Sequence, residues 1–293
     1  MRFFIDNMEK VITYTIEKED GLKIESVLKN TLNLSATLIA ILKRQDGAIT
    51  LNGESSKVIE RVKKGDILEV TVSENPSENI IPAKIPLDII YEDGDILAVN
   101  KPHSMPTHPS KGHSDDTLAN GVIHYLGSGK FHVITRLDRD TSGVVLIAKN
   151  SVSAAYLTEE MKQGRIQKEY IALINGVLNP KNGKIDAPIK KESEKGIKRC
   201  ISPDGKYALT EYKTLDVKED FSLVGLYPIT GRTHQLRVHM SYKNCPIFGD
   251  ELYAAPQIGE RTRLHCCKIT FTHPETKKLI TITAPIPDNI KTV

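Results

Sequence analysis

The chain has 293 residues, 39% hydrophobic and 26% charged, with a formal net charge of +3. Such values are ordinary for a soluble globular protein, and the length suggests one large domain with a small one beside it. No apolar run reaches the roughly 18 residues of a membrane-spanning helix, and the acid-interrupted start MRFFIDNMEKVITYTIEKED is not expected to act as a secretory signal.

The charge is unevenly spread. Residues 1–80 carry 11 Lys and Arg against 13 Asp and Glu, whereas the remainder carries 29 against 24. A polyanion is therefore expected to be gripped by the larger, C-terminal part. Cys200, Cys245, Cys266 and Cys267 show no CxxC spacing, which fits reduced thiols in a cytoplasmic protein.

In chain order, GLKIESVLKNTL reads as a helix with Leu22, Val27, Leu28 and Leu32 near one face. SATLIAILKRQ predicts a second helix, capped by Ser35. GAITLNGES is a short strand turning at Asn52-Gly53, and RVKKGDILEVTV is a turn and a strand. Two helices and a small sheet form a common RNA-binding layout and, equally, a common structural one. SENPSENIIPAKIP, rich in Pro, Ser and Asn, reads as a linker. Beyond it, LDIIYEDGDILAVNKP predicts two strands joined at Asp93-Gly94, and VVLIAKN a strand buried on both faces. SVSAAYLTEEMKQG predicts a helix capped by Asn150 or Ser151 and stopped at Gly164. KEYIALINGVL, SLVGLYPI, LHCCKITFTHP and LITITAPI supply further strands, with a helical HQLRVHMSYKN among them. Strands dominate. The expected fold class is α+β: a mixed, largely antiparallel sheet flanked by helices, plus a small N-terminal α+β module.

TRLDRDTSGVVLIAKN places two aspartates and two arginines within Arg136–Asp140, just ahead of a buried strand. Charges there are costly to bury unless they are paired or have a job. A surface ion-paired turn is the bland explanation. Asp138 and Asp140 also resemble a haloacid-dehalogenase phosphotransferase signature, but its fifth position is Ser142 here and the apolar strand follows instead of preceding. His103, His108, His113 and His124 lack metal-ligand spacing and are expected to be scattered loop or surface residues. Cys266 and Cys267 alternate along a strand, cannot both face one site, and are expected to be small core residues. In TGRTHQLRVHMSYKNCPIFGD, a turn leads into a helix whose start carries Arg232, His234 and Gln235, with Arg237 one turn on. A helix start with added guanidinium groups suits a phosphate or carboxylate. Tyr170 opens a buried strand, where an aromatic is most often core.

Together RLDRDTSG, KEYIALINGV and TGRTHQLRVH…PIFGD resemble the ordered motifs of the RluA-type pseudouridine synthases. ILAVNKPHSMPTHPS is similar to that family's strand into a Lys-Pro turn, and RLHCCKITFTHP to its late strand. The resemblance covers about residues 85 to 290 and departs from the family at Thr135, commonly His, and at His103-Ser104, where a Gly often follows the Lys-Pro turn. It implies a catalytic domain at 87–293, a linker at 76–86 and an S-four-like RNA-binding module at 1–75 that lacks the usual arginine-rich helix start.

The implied reaction detaches uracil from its ribose nitrogen link and rejoins it through carbon, with no cofactor and no metal. By the same resemblance Asp138 is the attacking carboxylate, Arg237 its charge partner, Tyr170 the ring stacked on the flipped base and Leu264 the apolar wall opposite. Asp140 is expected to be structural. Arg136, Arg139, Arg232, His234, Gln235 and the lysine-rich Ile189–Arg199 segment are the expected RNA contacts, unless that last segment is a solvated loop. The expected partner is RNA, large-subunit ribosomal RNA ahead of transfer RNA, with a monomer as the default. An idle RNA-binding or ribosome-assembly factor on the same fold is the competing reading.

Overall fold

The computed structural model describes residues 9–73, 80–127, 130–254 and 261–291. The first stretch contains β1 (Glu9–Thr15), a short α1 (Ile24–Ser26) running into a π-helical turn (Val27–Thr31), α2 (Ala36–Leu42), β2 (Ile49–Leu51), β3 (Glu54–Ser55) and β4 (Ile67–Ser73). Its four strands pair in the order β1-β4-β2-β3, all antiparallel. Leu68, Val70 and Val72 alternate inward along β4, as period-two patterning dictates, and meet Ile24, Val27, Leu28 and Leu38 in one apolar cluster. Ser35 caps α2 as expected, its Oγ accepting the Leu38 N–H at 3.1 Å. The β2–β3 hairpin turns on Asn52 and Gly53, with φ of 55° and 83°, which is why that dipeptide serves there.

Two sequence expectations shift here. Leu22 is 45% exposed, because the chain turns at Gly21 and helix begins only at Ile24, which takes the inward position. Of the expected linker, 76–79 lie outside the described residues, and 80–86 are docked instead of spanning solvent. Asn120 donates to the Ile81 carbonyl at 2.7 Å and accepts through its own carbonyl from Ala83 N–H at 3.2 Å. Gly121 has no Cβ, so Ile85 and Leu87 close in on it.

The larger unit contains β5 (Ile89–Glu92), β6 (Ile96–Lys101), α3 (Leu118–Leu126), β7 (His132–Val133), β8 (Ser142–Ala148), α4 (Ser151–Lys162) and β9 (Gln167–Asn175). There follow β10 (Asn182–Asp186), β11 (Ile189–Lys191), β12 (Arg199–Ile201), β13 (Leu209–Lys218), β14 (Phe221–Pro228), α5 (Gln235–Tyr242), β15 (Leu264–Thr272), β16 (Leu279–Thr283) and α6 (Asp288–Lys291). A 10-stranded sheet runs β10-β13-β14-β9-β15-β8-β6-β5, with β16 on β15 and β7 on β8. The expected architecture, a mixed and largely antiparallel sheet with helices, is the one adopted, and β8–β15 is its parallel pairing.

All seven residues of β8 are buried, as the continuous apolar run requires. Leu118 and Val122 of α3 and Leu157 of α4 join its core. Asn150 caps α4, accepting the Ser153 N–H at 2.9 Å, and Gly164 with φ of 69° lets the chain leave it. At Gly143, φ is 113° and a Cβ would lie 2.2 Å from the Cys266 carbonyl oxygen, so only glycine lets β8 approach β15. The lysine-rich 189–199 segment is the β11–β12 hairpin, pinned by the buried Ile189. Lys10 of β1 pairs with Asp95 and, at 3.3 Å, with Glu275, joining the two sheets' units.

Candidate active site

The loop 136–140 leads into β8 and is tied down from beneath. Thr135 Oγ1 accepts the Leu146 N–H at 2.9 Å, Thr107 Oγ1 donates to the Leu137 carbonyl at 2.8 Å, and the Thr141 N–H donates to the Asp138 carbonyl at 3.1 Å. Lys101, fully buried at the end of β6, donates to the carbonyls of Pro102, Met105 and Arg139 at 2.8, 2.7 and 3.0 Å. One ammonium thus fastens the Lys-Pro turn to the charged loop. Burial pushes its pKa down to about 7 against the pull of Asp140 and Asp138.

The Asp138 side chain is 29% exposed, and its Oδ2 lies 3.7 Å from Arg237 Nη1. Arg237 itself is clamped elsewhere: Nε and Nη2 donate to the two oxygens of Asp250 at 2.7 and 2.6 Å. Asp250 is fully buried and also accepts the Leu252 N–H at 3.1 Å. This bidentate fork fixes the guanidinium plane and aims the remaining nitrogen at Asp138. Burial alone would weaken the arginine's proton affinity, yet the Asp250 bonds raise it above the usual range, so Arg237 stays charged. Its other face lies over the Tyr253 ring at 5.2 Å. His234 takes a left-handed φ of 57° just before α5 and sets its Nδ1 2.9 Å from the Tyr253 hydroxyl.

Across from the loop, Tyr170 of β9 and Leu264 of β15 form apolar walls, 9% and 3% exposed. Burial, then the neighbouring Cys266, keeps the Tyr170 hydroxyl protonated far above its ordinary range. Loop, helix start and walls enclose a cleft of about 710 Å³ lined by Asp138, Tyr170, Arg237 and Leu264, and by Arg136, Arg139, Arg232, His234 and Gln235. A carboxylate, a fixed cation and two flat apolar faces are thereby set around a space large enough for a nucleotide.

Residues 95–242 match the family model described as RNA pseudouridylate synthase. The chain is 38% identical over 266 residues to an uncharacterized RNA pseudouridine synthase, YjbO, of Bacillus subtilis, covering 88% of this chain and 94% of that protein. It is 36% identical over 250 residues to the ribosomal large subunit pseudouridine synthase D of Borreliella burgdorferi, covering 80% and 77% respectively. Among solved structures, human RNA Pseudouridylate Synthase Domain Containing 1 superposes with a TM-score of 0.60 at 28% identity, over 69% of this chain and 84% of that one. The chain belongs to the RluA-type pseudouridine synthases. It is an isomerase that converts uridine to pseudouridine in RNA.

In this pseudouridine synthase the nine site residues expected from the sequence all reach one cleft, but some serve differently than expected. Arg139, expected as an RNA contact, has its guanidinium forked on Asp140 at 3.0 and 3.3 Å. Gln235 is turned inward. Its oxygen accepts from Thr230 and the Arg232 N–H at 2.7 and 3.0 Å, and its NH₂ donates to Leu209 and Thr210 at 3.0 and 2.9 Å, leaving nothing for RNA. Arg232 is exposed at the rim, holding the Tyr207 carbonyl at 2.8 Å through Nε only. Arg136 is likewise exposed. Cys266 is fully buried, while Cys267 is only partly so.

Asp250, Lys101 and Tyr253 were not legible as site residues. The one available signal for Asp250 was an aspartate ending an apolar PIFG run. For Lys101 it was a lysine closing a buried strand.

Proposed function

We propose that this enzyme acts on uridines of large-subunit ribosomal RNA and that Asp138 is the attacking carboxylate. The observation that carries the assignment is the position of Asp138. It projects into the cleft opposite the Tyr170 and Leu264 walls, and Arg237 is its ion-pair partner among the described residues. The isomerisation needs a carboxylate beside both the anomeric carbon and the base, to form an adduct or to assist glycosidic cleavage. Asp138 has this role, and Arg237, unable to swing away from Asp250, orients it.

A stacked uridine must be extruded first, at a cost of a few kcal/mol. Tyr170 and Leu264 receive the freed base as two apolar faces, which offsets the lost stacking. The exposed guanidiniums of Arg136, Arg139 and Arg232 meet backbone phosphates at the rim. Ribosomal RNA is favoured by the large-subunit synthases among the relatives. Such a substrate supports a cytoplasmic enzyme, with a monomer as the default.

Carbodiimide mapping of pseudouridine in total RNA tests this. Cells lacking the protein are compared with cells restored by the native form or by Asp138→Asn. A stop in ribosomal RNA restored by the native form alone is the expected outcome. A stop restored by both forms would remove Asp138 from the chemistry, and a stop in transfer RNA would overturn the substrate. No difference among the three strains would leave the protein a binding factor.

A further inference from the structure

The cleft holds a cation that the protein does not complete. Lys168 precedes Tyr170 by two residues on β9, so strand alternation puts both on the cleft side. Glu169, between them, is taken by Lys268 of the neighbouring strand at 2.6 Å. Among the described residues Lys168 has neither a hydrogen-bond nor an ion-pair partner. Its Nζ lies near Gly231 in the loop before α5, where an added Cβ would sit 3.6 Å away. Burial lowers its pKa, and only the Cys266 thiol opposes that. Lys168 is partly buried, and an ammonium that loses part of its water without gaining an acceptor is undercompensated, so its place in the cleft points to an anion brought by the substrate.

Uracil is neutral, and the walls that would take it are apolar. The anion of the substrate is its phosphodiester. Two residues along a strand span about 6.6 Å, and the lysine stem extends the reach further. That is comparable with the span from a nucleobase to its own phosphates. The rim arginines are exposed and reach any passing phosphate, whereas Lys168, inside the cleft, reaches only one carried in with an extruded nucleotide.

We infer that Lys168 binds a phosphodiester flanking the extruded uridine and so fixes how deep the base is seated between Tyr170 and Leu264. This rests on the placement of the base against Tyr170 proposed above. Lys168 is thus a substrate-positioning residue distinct from Asp138 and Arg237.

The test uses an RNA oligonucleotide carrying the mapped uridine in three versions: all phosphate, one methylphosphonate on the 5′ side, or one on the 3′ side. Native enzyme, Lys168→Met and Lys168→Arg are compared by kcat/KM for pseudouridine formation and by thermal unfolding. A charge-assisted hydrogen bond of about 1.5–3 kcal/mol corresponds to a loss of roughly 10- to 100-fold. The native enzyme is expected to lose that much with one of the two methylphosphonates. Lys168→Met should show the same loss on all-phosphate RNA and no further loss on the modified one. Lys168→Arg should keep most of the activity and the sensitivity. The Tm of Lys168→Met should hold or rise, since no partner in the fold is lost.

Equal sensitivity of native and Lys168→Met enzymes to both methylphosphonates would overturn the inference. So would a Lys168→Met enzyme as active as the native one, or one that unfolds several degrees lower. Failure of the underlying placement is seen separately. In that case Tyr170→Ala would convert the all-phosphate oligonucleotide as fast as the native enzyme does.

Discussion

Two arginine–aspartate forks share this cleft and nearly the same geometry, yet their surroundings are opposite. Arg139 grips Asp140 at the rim with side chains 54% and 28% exposed, while Arg237 grips Asp250 in the floor at 7% and 0%. Exposed pairs contribute about 0–1 kcal/mol, because water already solvates both charges well. A buried pair adds little over apolar residues of the same shape, but removing one member strands the other and costs about 3–5 kcal/mol. The rim fork is therefore replaceable, whereas the floor fork holds one guanidinium in a single pose.

The sharpest way to break this contrast is to remove Asp250. Asp250→Asn should cost about 3–5 kcal/mol in urea unfolding and abolish measurable pseudouridine formation. The double change Asp250→Leu with Arg237→Met should recover much of that stability and none of the activity. Recovery of activity would show that the fork serves folding alone.

Lys101→Met is the next largest. It leaves the carbonyls of Pro102, Met105 and Arg139 without their donor, at about 1–3 kcal/mol by the same unfolding measurement. Pseudouridine formation should fall with it, because the loop carrying Asp138 loses its tie.

Protons distinguish the buried interior from the surface as well. Burial pushes the His265 imidazole down to about 4, below its value of about 6.5 in the unfolded chain. Between those two values the unfolded chain binds more protons, so stability is present above pH 6.5 and lost as pH falls toward 4. The slope should approach about 1.4 kcal/mol per pH unit within that window. His265→Leu should flatten it in pH-dependent denaturation curves, although the 2.9 Å contact from Ser142 is lost.

The smallest effect is expected at the rim. Arg139→Gln should change stability by less than about 1 kcal/mol. It should instead reduce the salt dependence of RNA binding by about one phosphate contact. A larger loss of stability would erase the distinction between the two forks.

Local patterns were legible in the sequence where neighbouring residues decide the structure. Asn150 and Gly164 bracket α4 by cap chemistry, and the apolar run Val144–Ala148 fixed β8. The charged loop stood out because its residues are adjacent. Pairings made by tertiary folding were not legible: Asp250 lies 13 residues beyond Arg237 and meets it only once α5 packs. Gln235 looked like a ligand because a polar residue at a helix start usually faces water, but here the first residues of β13 turn it inward. The strands β1 and β13 escaped notice for a different reason. Most of their outward residues are polar or charged, and β13 loses its alternation at a bulge near Thr214.

Gly143 gives the cleft a built-in gauge. Asp138 hangs from β8, while Leu264 and Tyr170 belong to β15 and its neighbour β9, so the two sides of the reaction space are carried by different halves of one sheet. Those halves are stitched in parallel at His265–Ser142 and Cys266–Gly143. The width of the seam is set by a hydrogen atom where every other residue would put a carbon. A methyl group there would act as a wedge, spreading Asp138 from Tyr170 and Leu264 without touching any of them.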